Sequence, residues 1–98
     1  MIGIDRTDGV LTIRLGGEID LANADQVEAT IEEAIDSSVT EAVFDLGAVV
    51  YLDSAGVRVL FVLSDRLRIR QIAMRVVAPA GTPARRVLEV AGFPLTPD

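Results

Sequence analysis

The chain has 98 residues, half of them hydrophobic, with a mean hydropathy of +0.41, which suits one domain with a single buried core and excludes two. Cysteine and histidine are both absent, excluding disulfides, thiolate metal sites and imidazole chemistry, and pointing to a reducing, cytoplasmic setting. The net charge of −6, with one Tyr, three Phe and no Trp, argues against a nucleic-acid partner, since neither a basic surface nor stacking platforms are available.

The charge is unevenly placed. Residues 1–53 carry twelve acidic and two basic side chains, residues 54–98 three acidic and seven basic, and every basic residue is arginine. Two differently charged faces of a protein-binding module would produce this asymmetry, and so would an ordinary solvated surface. No apolar run approaches the ~20 residues that span a bilayer, and no basic segment precedes an apolar one near Met1, so neither membrane insertion nor export is expected.

Ile2 to Arg6 and Val10 to Leu15 alternate apolar and polar residues around Asp8-Gly9, a hairpin signal. Gly16-Gly17 is expected to break the second strand. A helix then spans about Ala24 to Asp36, with Asn23 and Gln26 spaced as a capping box and Val27, Ile31, Ala34 and Ile35 on one face. Ala42 to Leu46 reads as a buried strand that leads through a loop at Gly47 into Asp53-Ser54. A second apolar helix follows at once, so Ser54 sits where a helix starts and is expected to cap it. Ile72 to Val77 forms the next strand. A last helix covers about Pro83 to Ala91, with Thr82 as cap, Pro83 in the first turn and Gly92 as stop. The tail from Phe93 has room for a short edge strand at most. The fold class is α/β: a mainly parallel mixed sheet of four to five strands, an N-terminal antiparallel hairpin, and about three helices on one side.

Projected at 100° per residue, the second helix presents two apolar stripes. Gly56, Val57, Leu60, Leu63, Ser64 and Leu67 should face the sheet. Ala55, Val59, Val62 and Arg66 lie opposite and need a cover, from the neighbouring helix or from a partner. Besides capping, the Ser54 hydroxyl at such a junction is a good phosphoryl acceptor. A phosphate there would lie in the positive field of the helix N-terminus and add nearly two negative charges beside Asp53.

Several motifs, in order and spacing, resemble the STAS domain, in particular the small bacterial anti-sigma factor antagonists. Leu15-Gly16-Gly17-Glu18-Ile19-Asp20 resembles the family's Gly-Glu-Leu-Asp turn, and Phe44-Asp45-Leu46 its central strand. Tyr51-Leu52-Asp53-Ser54-Ala55-Gly56-Val57 resembles its Asp-Ser-Ser-Gly-Leu signature, and Ala91-Gly92-Phe93 its late Ser-Gly-Leu. The resemblance covers residues 1–98, without the C-terminal helix usual in the family. It implies that Ser54 is phosphorylated by a serine kinase that is itself the anti-sigma factor, that the unmodified protein binds that kinase, and that a serine phosphatase reverses the step. The implied docking surface comprises Glu18, Asp20 and Asn23 beside Asp53 and Ser54. The apolar stripe of Ala55, Val59 and Val62 starts beside Ser54 and, with Gly56 and Arg58, is expected to continue that surface along the helix. Ala55 replaces the second serine of the signature, leaving Ser54 as its one acceptor. The resemblance also implies a cytoplasmic monomer, or at most a weak dimer.

Catalysis is poorly provided for. Ser54 has no histidine to activate it and no Gly-Xaa-Ser-Xaa-Gly elbow around it, no phosphate-binding glycine loop occurs, and Asp20, Asn23 and Asp25 lack calcium-loop spacing. No cofactor is expected. Two other readings stand beside the phosphorylation switch. One is an unmodified STAS scaffold subunit of a signalling or lipid-transport assembly. The other is a nucleotide or small-molecule sensor using Arg58, Arg66 or Arg85.

Overall fold

The computed structural model describes residues 1–95. Asp8 (φ 50°) and Gly9 (φ 80°) both take left-handed backbone, the geometry of the tight turn that matches strand twist, and they join β1 (Ile2–Thr7) to β2 (Val10–Ile19) as an antiparallel pair. The chain continues through α1 (Ala24–Ala34), β3 (Glu41–Leu52), α2 (Ser54–Ile69), β4 (Ala73–Val77) and α3 (Pro83–Ala91). The sheet order is β1-β2-β3-β4, with β2-β3 and β3-β4 parallel. Two successive parallel crossovers each advance one strand, and with the right-handed connection general to such units they bring α1 and α2 to the same face, where the two helices pack together. Phe61 of α2 meets Phe93 edge-on at 4.9 Å, which ties the segment after α3 into the same layer.

Burial follows from this layering. Leu11 and Ile13 of β2 and Ala42, Phe44 and Leu46 of β3 are fully buried beneath the helices, while Thr12, Arg14, Val43 and Asp45 alternate onto the more open face. The sheet-facing stripe of α2 (Val57, Leu60, Leu63 and Leu67) is likewise buried. Each such side chain contributes about 1.5–3 kcal/mol relative to exposure, so packing rather than helix propensity holds α2 in place.

Two expected breaks are absent. β2 passes through Gly16-Gly17 to Ile19, with Gly17 at φ 77°, and β3 runs on from Leu46 through Gly47 to Leu52. The pairing shows why. Between Arg14 and Gly16, and again between Gly17 and Glu18, β3 takes one more residue than β2, so β3 carries two bulges. Its buried residues then fall at Leu46, Val49 and Leu52, every third position, and the period of two that marks a strand disappears from the sequence.

The helix ends also differ in detail. α1 stops at Ala34 rather than Asp36, and Asp36 instead pairs with Arg6 at 2.7 Å. Thr82 caps α3 by accepting from the Arg85 amide, Pro83 opens the helix, and Gly92 closes it at φ 75°, as expected. Residues 93–95 form no strand, and the rest of the tail lies outside the described residues.

Candidate functional site

The bulges lengthen β3 so that it delivers Asp53 and Ser54 to the carboxyl edge of the sheet, beside the end of β2, where Glu18 pairs with Tyr51 and Ile19 with Leu52. Asp53, not Ser54, is the N-cap of α2. Its backbone is extended (φ −98°, ψ −174°), and its Oδ1 accepts from the amides of Ala55 (2.9 Å) and Gly56 (3.1 Å). The second oxygen, Oδ2, accepts from the Leu21 amide at 3.1 Å, and the Asp53 amide donates to Ile19 O at 3.3 Å. One carboxylate therefore fastens the start of α2 to the loop that leads into α1.

Asn23 secures the other side of that loop. No capping box forms: Asn23 stands at the N-cap position of α1 without a side-chain cap bond. Instead its Nδ2 donates to Glu18 O (2.8 Å), and its Oδ1 accepts from the Asp20 amide (3.0 Å). Asp20 Oδ1 in turn accepts from the Ala22 amide at 3.0 Å. Glu18, Asp20 and Asn23 thus share one hydrogen-bonded junction with Asp53, which is 30 or more residues further along the chain.

Gly56 makes the junction possible. A Cβ there would stand 2.5 Å from Leu52 Cδ1 and 2.9 Å from Ile19 O, so only a glycine lets the first turn of α2 settle onto the end of β2.

Ser54 occupies the first helical position, exposed, and its hydroxyl has no hydrogen-bond partner among the described residues. Around this end of the molecule lie the exposed side chains of Leu21 (82%), Val50 (63%) and Tyr51 (51%). Large exposed apolar groups beside a polar junction are what a protein-docking surface presents. Leu21 and Val50 were not among the residues singled out from sequence. Leu21 falls between strand and helix, outside either period, and Val50 is exposed only because of the second bulge.

The second stripe of α2 is partly covered. Val59 is buried at 5%, Ala55 and Val62 are half-buried, and α1 closes over them, with Arg66 paired to Glu32 and, at 3.5 Å, to Glu28. An open groove of about 240 Å³ remains between α1 and α2, walled by Leu21, Asp25 and Glu28 on one side and Ala55, Arg58 and Val62 on the other. Gly56 and Val59 shape this surface from beneath, whereas Ser54, Arg58, Glu18 and, in part, Asp20, Asn23, Asp53, Ala55 and Val62 reach solvent. Arg58 enters no ion pair among the described residues, and the groove that it lines also carries the carboxylates of Asp25 and Glu28. No cluster of three metal-ligating side chains occurs among the described residues.

Comparison with known proteins agrees with this fold. The STAS domain family profile matches residues 1–95. A putative anti-sigma factor antagonist, BtrV of Bordetella bronchiseptica, is 36% identical over 91 residues, covering 92% of this chain and 77% of the relative. The crystal structure of an anti-sigma factor antagonist from Mycobacterium paratuberculosis superposes with a TM-score of 0.86 at 30% identity, over 100% of this chain and 86% of that one. SpoIIAA in its unphosphorylated form, another anti-sigma factor antagonist, gives 0.79 at 25% identity over 95% and 82%, and that protein is also known in a phosphorylated form. With the profile spanning nearly the whole chain and the fold matched throughout, this chain belongs to the STAS domain family.

Proposed function

We propose that the protein is an anti-sigma factor antagonist: unmodified, it binds an anti-sigma serine kinase through the surface around Ser54, and phosphorylation of Ser54 releases it. The observation that carries this reading is the exposed, unbonded Ser54 hydroxyl on the first turn of α2, set among exposed apolar side chains and held there by a junction that does not use it. A serine that capped the helix would give up structure on modification. Here Asp53 carries that load.

In the transfer, Ser54 Oγ attacks the γ-phosphorus of a nucleoside triphosphate bound by the kinase. The new P–O bond forms as the bond to the nucleoside diphosphate breaks, and the hydroxyl proton leaves to a base of the kinase. Asp53 is ill placed to take it, because its carboxylate already accepts three backbone hydrogen bonds. The protein is thus substrate and ligand rather than enzyme. The product carries nearly two further negative charges at a junction that already holds Asp53, Glu18 and Asp20. Since Asp53 occupies the Ala55 and Gly56 amides, the phosphate projects outward, into the surface a partner must desolvate.

Incubation with the cognate anti-sigma kinase and ATP should add a single phosphate to the intact mass, and none to Ser54→Ala. An unchanged mass, or equal modification of Ser54→Ala, would return the protein to the scaffold reading.

A further inference from the structure

We propose that Arg58 is a built-in clamp for a phosphate on Ser54, a role that rests on the phosphorylation reading above. Ser54 and Arg58 are four residues apart on α2, the spacing that brings side chains onto one face with Cβ atoms about 5–6 Å apart. Helical side chains lean toward the N-terminus, so the turn that carries Ser54 is within reach of the long Arg58 stem, which in the unmodified protein lines the groove between α1 and α2. The order is also the favourable one, with the anion N-terminal to the cation.

Three observations leave Arg58 free for this task. It is exposed and enters no ion pair among the described residues. The carboxylates that share its groove are otherwise engaged or lie on the other wall: Glu28 pairs with Arg66 at 3.5 Å and Asp25 lines the α1 side, while Asp53, at the start of the same helix, accepts backbone amides. Two of the backbone donors that would normally hold a phosphate at a helix start, the amides of Ala55 and Gly56, are already taken by Asp53, so beside the Ser54 amide itself the Arg58 guanidinium fork is the side-chain donor open to the phosphate oxygens.

The clamp gives phosphorylation a second effect. In the unmodified protein Arg58 lines the groove between α1 and α2, where it is open to an acidic group of the partner. Once Ser54 is phosphorylated, the same guanidinium turns to the phosphate and is withdrawn from the groove. Release then follows both from the added charge and from a lost contact.

The test uses phosphoserine incorporated at position 54 during translation, so it does not depend on any kinase. Titration of the phosphate by ³¹P NMR reads the second ionisation, ordinarily near pH 6. The clamp favours the dianion, so Arg58→Ala should raise that midpoint by about 0.3–1 unit and Arg58→Lys by less. Arg75→Ala, at the β4 position paired with Val43 toward the other end of β3, removes the same charge and should leave the midpoint in place. A midpoint indifferent to Arg58→Ala, or moved equally by Arg75→Ala, would overturn the clamp while leaving the switch standing. A kinase that never modifies Ser54 would remove the switch, and this titration would still report on the clamp.

Discussion

Replacing Asp53 by Ala should cost far more stability than replacing Ser54 by Ala, although the two are adjacent and equally good helix caps by residue type. Asp53→Ala removes the acceptor for the amides of Ala55 and Gly56 and for that of Leu21. Loss of an N-cap costs about 1 kcal/mol, rising toward 2. The Leu21 bond adds about 1 kcal/mol, and the carboxylate at the helix N-terminus a further few tenths. The sum is about 2–3 kcal/mol, a large part of the roughly 5–15 kcal/mol that holds a domain of this kind together. At this size each kcal/mol moves Tm by about 4–8 °C, so Asp53→Ala should melt roughly 10–20 °C lower. Ser54→Ala removes no hydrogen bond seen among the described residues and should stay within about 0.5 kcal/mol of the parent. Asp53→Asn should fall between, keeping an amide oxygen for the cap but losing the charge. With one Tyr and no Trp, fluorescence is a poor probe, so urea unfolding followed by far-UV circular dichroism is the suitable assay. A Ser54→Ala loss as large as that of Asp53→Ala would refute this division of labour between the two residues.

Gly56→Ala should destabilise by about 1–3 kcal/mol, read as a lower urea midpoint, because its Cβ would meet the Ile19 carbonyl at 2.9 Å, an atom of a paired strand that cannot move aside. Asn23→Ala should cost about 1–2 kcal/mol and accelerate hydrogen exchange at the Asp20 amide, which loses its acceptor, while α1 itself keeps its protection. Asp36, held below the usual carboxylate range by hydrogen bonds from the Ser38 hydroxyl and amide and by the Arg6 guanidinium, stabilises the folded state above the ordinary carboxylate pKa. That contribution fades as pH falls through the lower native value, so Asp36→Asn should make Tm less sensitive to pH between about 5 and 3, and an unchanged slope would contradict it.

Local chemistry carried much of the fold into the sequence. The Asp8-Gly9 turn and the Thr82, Pro83 and Gly92 frame of α3 are decided within a few residues, and so could be read there. What depended on distant contacts could not. The length of β3 was hidden because two bulges convert alternation into a spacing of three at Leu46, Val49 and Leu52. Either Asp53 or Ser54 could cap α2 on propensity alone, and the Leu21 amide, 32 residues away, favours the aspartate. Asn23 looks like a cap in its own neighbourhood but is taken up by Glu18 O and the Asp20 amide. The signature around Ser54 was legible as a motif. That its hydroxyl stands free, and that a groove opens beside it, emerges only when α1 and α2 are packed together.

The switch is tested most directly by titrating the cognate anti-sigma kinase, by calorimetry without ATP, with the unmodified protein and with the protein phosphorylated at Ser54. The charge placed in the docking surface predicts tight binding by the unmodified form and an affinity at least about tenfold weaker for the phosphorylated one, with Ser54→Asp weakened in the same direction. Equal affinity of the two forms would contradict it.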